Sequence, residues 1–283
     1  MDGRASNQQA KDSITMTSKV YIVGAGPGAA DLLTLRAAAL LRAATIVLHD
    51  DLVPAEILEL CPASAQIINV GKRCGRHGRS QEQINALMIW HARETQAQTI
   101  VRLKSGDPAV FGRLGEELDA LRRAGIEFEI VPGVTAASAA AASAKITLTD
   151  RRAASALVVV TAHNVRNESL SSTMFEPARS TYAIYMPGPD YAATVKGLLE
   201  SGQKLDMPCA VVSNAGRANE EVCYLTLGQL ASVKGIPAPA MLIVGEVATE
   251  HLPRSHGNLL SKISSEARDP YHLERFPIHP GQV

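Results

Sequence analysis

The chain of 283 residues is 46% hydrophobic and 20% charged, the composition of a folded globular protein and not of a disordered segment. Lysine plus arginine and aspartate plus glutamate each number 28, so the formal charge is zero. Nothing global then draws the chain to nucleic acid or to an anionic membrane, and a polyanionic ligand has to be met by a local basic cluster.

The length suits about two domains of roughly 150 residues, or one large α/β unit. Residues 1–18 are polar, lack the apolar stretch of a signal peptide and read as a tail. No run reaches the roughly 18 apolar residues of a membrane helix, so the protein is expected to be neither exported nor inserted. From residue 19 short β-branched runs mark strands at 19–23, 45–48, 65–70, 99–103 and 126–131, and residues 32–44 carry apolar side chains at helical spacing. Ser80-Gln81-Glu82-Gln83 is a capping box opening a helix towards residue 96, and Gly125 after Arg122 and Arg123 is a helix stop. This alternation is the pattern of βα units.

A second series has strands at 156–161, 181–186, 209–213, 221–227 and 240–247, with helices near 191–200 and 228–233. The hinge is expected at residues 145–152, where the Ala-rich stretch ends, which gives domains over 19–149 and 150–253. Residues 254–283 lack a sustained apolar period and read as a second tail. Cys61, Cys74, Cys209 and Cys223 show no CxxC spacing, and His77 has no second ligand at metal spacing, so neither a zinc site nor a disulfide framework is predicted. A reducing cytoplasm is the simplest setting.

Gly24-Ala25-Gly26-Pro27-Gly28-Ala29 follows the first strand and fits the dinucleotide fingerprint G-x-G-x-x-G/A, with Asp50 where a ribose-binding acid would sit. Pro27 opposes that reading. A pyrophosphate is held by successive backbone N–H groups, and proline removes one of them. A ligand without phosphates would not miss it, and a purely structural tight turn fits the loop as well.

Further motifs join the loop in order: Val20-Tyr21-Ile22-Val23-Gly24, Asp50-Asp51-Leu52-Val53, Val70-Gly71-Lys72-Arg73, Val101-Arg102-Leu103-Lys104-Ser105-Gly106-Asp107-Pro108, Phe111-Gly112-Arg113 with Gly115-Glu116-Glu117, and Val131-Pro132-Gly133-Val134-Thr135-Ala136. Over about residues 19–250 the chain resembles the uroporphyrinogen-III C-methyltransferases of the tetrapyrrole methylase superfamily. The resemblance implies two α/β domains with the active site in the cleft between them, a homodimer, and S-adenosylmethionine as methyl donor without a metal. It implies methylation of uroporphyrinogen III at C2 and C7 to precorrin-2, on the routes to sirohaem, cobalamin and haem d1.

The resemblance carries the family's cofactor positions onto Pro27, Ser105, Gly106, Asp107, Val110, Thr135, Ala136, Met186 and Ala215. Its proton acceptor and donor fall on Asp50 and Lys72. Two positions depart from the family pattern: Ser105 replaces a glycine, and Asp51 replaces an arginine beside Asp50, which leaves open which carboxylate acts. By residue chemistry alone, Asp107 before Pro108 is either a ligand for a ribose or amino group or a turn carboxylate capping backbone. The loop from Gly71 to Arg79 is the densest basic cluster, and Arg73 and Arg76, with Arg113 and Arg151, are the candidates to meet substrate carboxylates; solvated surface charge is the alternative. Residues 135–144 are nearly all Ala, Ser and Thr and suit close helix packing, while Met186 at a strand end reads locally as core. The other functions weighed are a later precorrin methyltransferase, an NAD-dependent oxidoreductase, an RNA or protein methylase and a non-catalytic relative.

Overall fold

In the computed structural model the described residues are 19–71, 79–94, 99–162, 179–188 and 191–252. The chain divides into two compact units, Met1–Thr135 and Ala136–Val283. That division precedes the hinge expected at residues 145–152. The reason is the small-residue helix Ala136–Ser143, which packs on strands of the second sheet.

In the first unit the predicted runs become β1 (Lys19–Gly24), β2 (Ile46–His49), β3 (Gln66–Asn69), β4 (Thr99–Lys104) and β5 (Phe128–Val131). They form one sheet in the order β3-β2-β4-β1-β5, with every pair parallel. Alternation along the strands feeds two cores. Val23, Val47, Val101 and Leu103 pack with Ala37 and Leu41 of α1 (Leu35–Arg42) and Ile57 of α2 (Ala55–Leu58). Val20, Ile22, Ile46, Leu48 and Ile100 pack with Ile84 and Met88 of α3 (Gln81–Glu94) and Leu121 of α4 (Leu114–Ala124). The sheet is doubly wound.

Local signals set the helix ends. The hydroxyl of Thr34 accepts the N–H of Ala37 at 3.1 Å, so α1 starts later than the apolar spacing implied. The Ser80 box is realised in both directions: Ser80 N–H donates to Gln83 Oε1 at 2.8 Å and Gln83 N–H to Ser80 Oγ at 3.3 Å. Gly125 closes α4 in the left-handed region, with φ 68°.

The second unit begins with α5 (Ala136–Ser143) and holds β6 (Ala156–Thr161), β7 (Ser180–Tyr185), β8 (Pro208–Ser213), β9 (Glu221–Thr226) and β10 (Ala240–Val244). The sheet order is β6-β7-β10-β8-β9, with only the β6–β7 pair parallel. One face builds a core of Tyr182, Ile184, Cys209, Val211, Leu242 and Val244 under α6 (Tyr191–Glu200) and α7 (Leu227–Leu230). Two tyrosines fasten α5: the Tyr185 hydroxyl accepts the N–H of Ala137 at 3.2 Å, and the Tyr224 hydroxyl donates to the carbonyl of Ala144 at 2.5 Å.

Candidate active site

Because every strand of the first sheet runs the same way, the loops after β1, β2, β3, β4 and β5 meet at one edge. The chain leaves β1 for β2 on one side and passes from β4 to β5 on the other, so β1 and β4 flank a topological switch point, where open α/β sheets take their ligands. Pro27, Asp50, Gly71, Ser105, Gly106, Asp107 and Gly133 all lie in these loops.

The glycine loop is stitched to the loop after β4. Ala25 N–H donates to the Lys104 carbonyl at 2.7 Å, Gly26 N–H to the Gly106 carbonyl at 3.2 Å, and Gly106 N–H back to the Gly26 carbonyl at 2.8 Å. A Cβ on Gly24 would lie 2.6 Å from Gly133 Cα, and one on Gly133 would lie 2.3 Å from the Gly106 oxygen. Glycine is required there because three backbones touch. The Ala25 and Gly26 amides are thus used within the protein, Pro27 offers none, and a 3-10 turn at Ala30–Leu32 intervenes before α1 begins at Leu35. Fewer amides are therefore left free at this loop than a pyrophosphate-binding turn presents.

Asp107 realises the capping alternative. Its Oδ1 accepts the N–H of Ala109 at 2.8 Å and its Oδ2 the N–H of Gly133 at 3.0 Å. Val110 is half-buried in the same turn, its N–H on the Asp107 carbonyl at 3.1 Å. Ser105 Oγ is shielded from solvent with no hydrogen-bond partner among the described residues.

Behind these loops lies a charge network that the sequence reading missed. Arg102 and Lys104 share the β4 face of Ile100 towards α4 and are 2% and 3% exposed, while Glu117 of α4 is 0% exposed. Glu117 Oε1 accepts Arg102 Nε at 2.9 Å, Lys104 Nζ at 2.9 Å and Gln81 Nε2 at 3.3 Å. Arg102 Nη2 reaches Asp50 Oδ1 at 2.5 Å, and its Nη1 donates to the carbonyls of Leu48 and Leu103. Burial opposes the Arg102 charge, but Asp50 and Glu117 outweigh it and hold the guanidinium pKa above its ordinary value. Burial first, and then the charge of Arg102, push the Lys104 amine below its ordinary range. The available signal was two cations at alternate positions of an otherwise apolar strand, which require a buried anion.

The network separates the adjacent carboxylates. Asp50 pairs with Arg102, whereas Asp51 Oδ1 accepts from Asn69 Nδ2 at 3.2 Å, and a Cβ on Gly71 would lie 2.2 Å from the Asp51 nitrogen.

In the second unit β7 and β8 both run antiparallel to β10, so their carboxyl ends share an edge. Met186 follows β7 with φ 50° and is 62% exposed, where the sequence suggested a core methionine within the strand. Asn214 follows β8 with φ 52°, placing the buried Ala215 at the same edge. Left-handed backbone at two non-glycine residues is strain of the kind that gathers at ligand sites. Ala136 opens α5, next to the Ala137 N–H held by Tyr185. Thr135 is the last residue of the first unit.

Arg113 caps α4 with φ 55°, exposed, its fork on both oxygens of Glu116 at 2.7 Å each. The pairing raises the Arg113 pKa and lowers that of Glu116. Arg151 is exposed beside Arg152, whose guanidinium grips Asp150 at 2.7 Å and draws that carboxyl down to about 2. Lys72, Arg73 and Arg76 lie outside the described residues. Among the described residues no group of His, Cys, Asp and Glu is arranged to hold a metal ion, and no helix is long and apolar enough to cross a membrane.

A doubly wound unit with glycine-packed strand-end loops and a carboxylate at their edge defines an α/β protein of the kind that takes its ligand at the carboxyl ends of its strands. Residues 19–231 match the family model of the Tetrapyrrole (Corrin/Porphyrin) Methylases, and the chain belongs to that family. It is 43% identical over 236 residues to a uroporphyrinogen-III C-methyltransferase of Paracoccus denitrificans, covering 81% of each chain. It is 42% identical over 238 residues to the enzyme of that name from Pseudomonas aeruginosa, covering 83% of this chain and 96% of that one. A solved uroporphyrin-III C-methyltransferase from Thermus thermophilus, complexed with S-adenyl homocysteine, superposes with a TM-score of 0.67 at 35% identity, covering 82% of this chain and 99% of that one.

Proposed function

We propose that this chain transfers methyl groups from S-adenosylmethionine to C2 and C7 of uroporphyrinogen III, giving precorrin-2. The observation that carries the reading is the stitched glycine loop, in which the Ala25 and Gly26 amides serve the protein's own backbone and Pro27 has none, an arrangement suited to a donor without phosphates. The similarity to uroporphyrinogen-III C-methyltransferases over about four-fifths of the chain supports the substrate.

When bound, the donor supplies an electrophilic methyl on a sulfonium. In the first unit Pro27, Ser105, Gly106, Asp107, Val110 and Thr135 are the residues proposed to contact it; in the second unit the family's cofactor positions fall on Ala136, Met186 and Ala215. Asp50 receives the proton released by the methylated ring system, and Lys72 returns one to the substrate. Arg73, Arg76, Arg113 and Arg151 receive carboxylates. Arg113 is suited to this because its pair with Glu116 is exposed and therefore cheap to exchange. The chain is further proposed to work as a homodimer in the cytoplasm.

Anaerobic incubation with donor and uroporphyrinogen III, read by mass spectrometry, is expected to show a gain of two methyl groups. A thermal-shift titration is expected to show stabilisation by S-adenosylmethionine and none by NAD. Product without mass gain, or stabilisation by NAD alone, defeats the proposal.

A further inference from the structure

We propose that Arg102 and Glu117 are positioning residues for the base: Arg102 locks the Asp50 carboxylate in one orientation, and Glu117 restrains the charge that Arg102 imposes on it. The proposal rests on the reading of Asp50 as proton acceptor. Each nitrogen of the Arg102 guanidinium is engaged, by Asp50, by Glu117 and by the carbonyls of Leu48 and Leu103 at 3.3 and 3.2 Å. It cannot swing away, so the oxygen it grips is fixed. Asp50 is the one member that meets solvent, with its side chain 30% exposed.

Stability gives no reason for this arrangement. Three charged side chains are buried, and replacing a buried ion network by apolar residues of similar volume is often neutral or stabilising. One consequence falls on Asp50. To act as base it must be ionised beforehand and then take a proton: the C–H bond breaks, an O–H bond forms on the carboxylate, and the electron pair returns to the cationic ring system. Arg102 is the cation that meets Asp50 directly, at 2.5 Å. Glu117 draws on the same guanidinium through Nε, and Lys104 on Glu117 completes two cations against two anions.

The groups that face Asp50 are Arg102 directly, then Glu117 and Lys104 behind it. On its own segment Asp51 is turned to Asn69, and the His49 ring nitrogen Nδ1 lies 2.9 Å from the Asp50 carbonyl. Arg102 and Glu117 therefore set opposite charges behind the carboxylate.

The test is the pH profile of kcat/KM for the full chain with donor and porphyrinogen. Glu117→Gln leaves the whole Arg102 charge on Asp50, and the acidic limb is expected to move down by about one pH unit with a slower plateau. Arg102→Met is expected to move that limb up by about one unit. Loosened packing would slow both variants without shifting the limbs in opposite directions. If circular dichroism shows Arg102→Met unfolded, Glu117→Gln decides alone. Unmoved limbs, with Asp50→Asn inactive, overturn the role of Arg102 and Glu117 but leave Asp50 as base. Asp50→Asn at the rate of the unaltered protein overturns the reading of Asp50 itself.

Discussion

The carboxylate of Asp107 accepts the N–H of Gly133 at 3.0 Å and so ties the loop after β4 to the loop after β5, across the end of β1 that lies between them. Its other oxygen caps Ala109. Asp107→Ala removes both bonds and leaves the Gly133 amide without its acceptor, a loss of about 1–3 kcal/mol. Thermal unfolding is expected to show that drop, together with weaker stabilisation by S-adenosylmethionine. An unchanged melting temperature would mean that the tie is dispensable.

The backbones at Gly24, Gly106 and Gly133 touch, so size at these positions is decisive. A methyl on Gly133 would sit 2.3 Å from the Gly106 oxygen and 2.9 Å from Gly24 Cα, closer than real Cβ contacts. Gly133→Ala is expected to cost several kcal/mol by displacing backbone and to abolish donor binding. Gly115, in the first turn of α4, provides the contrast, since a methyl added there would meet nothing within 4 Å. Gly115→Ala is expected to stabilise by about 0.5–1 kcal/mol, because glycine loses more freedom on entering a helix. Parallel denaturant titrations check both.

Much of this architecture is written locally in the chain. The β-branched runs of β1, β2 and β4, the Ser80 box and the Gly125 stop each depend on neighbours in sequence, so they are legible without coordinates. Other features are set by partners remote in sequence. Arg102 meets Asp50 and Glu117 only once β2, β4 and α4 are assembled, and a pattern reading sees only an apolar strand with two cations. The helix Ala136–Ser143 carries no polarity contrast between its faces, so nothing local says which sheet it joins. Met186 leaves its strand by a left-handed turn that a β-branched run does not announce. Of the proposed site, the loop positions were legible and the electrostatic support beneath them was not.

His91 lies inside α3 with 2% of its surface exposed, and burial lowers its pKa below the ordinary value of 6.5. The unfolded chain therefore takes up a proton before the native protein does. The contribution of neutral His91 to stability is intact above about pH 6.5 and is lost as the pH falls towards the lower native value. Between about pH 7.5 and about pH 5.5 the melting temperature is expected to fall less steeply in His91→Leu than in the unaltered protein. Equal slopes would assign the acid sensitivity to other groups.

Ser105 stands where related chains are expected to have glycine, and its Oγ is shielded from solvent with no hydrogen-bond partner among the described residues. A hydroxyl so placed costs about 1–3 kcal/mol in the ligand-free protein. Ser105→Ala removes that cost, and its ligand-free melting temperature is expected to rise by roughly 2–4 °C per kcal/mol recovered. If the hydroxyl finds its partner in the bound methyl donor, the same variant loses about tenfold in Kd, equivalent to about 1.4 kcal/mol, by calorimetry. The two effects have opposite signs and come from one atom. A variant that melts lower and binds the donor as tightly as before would show that the serine serves packing alone.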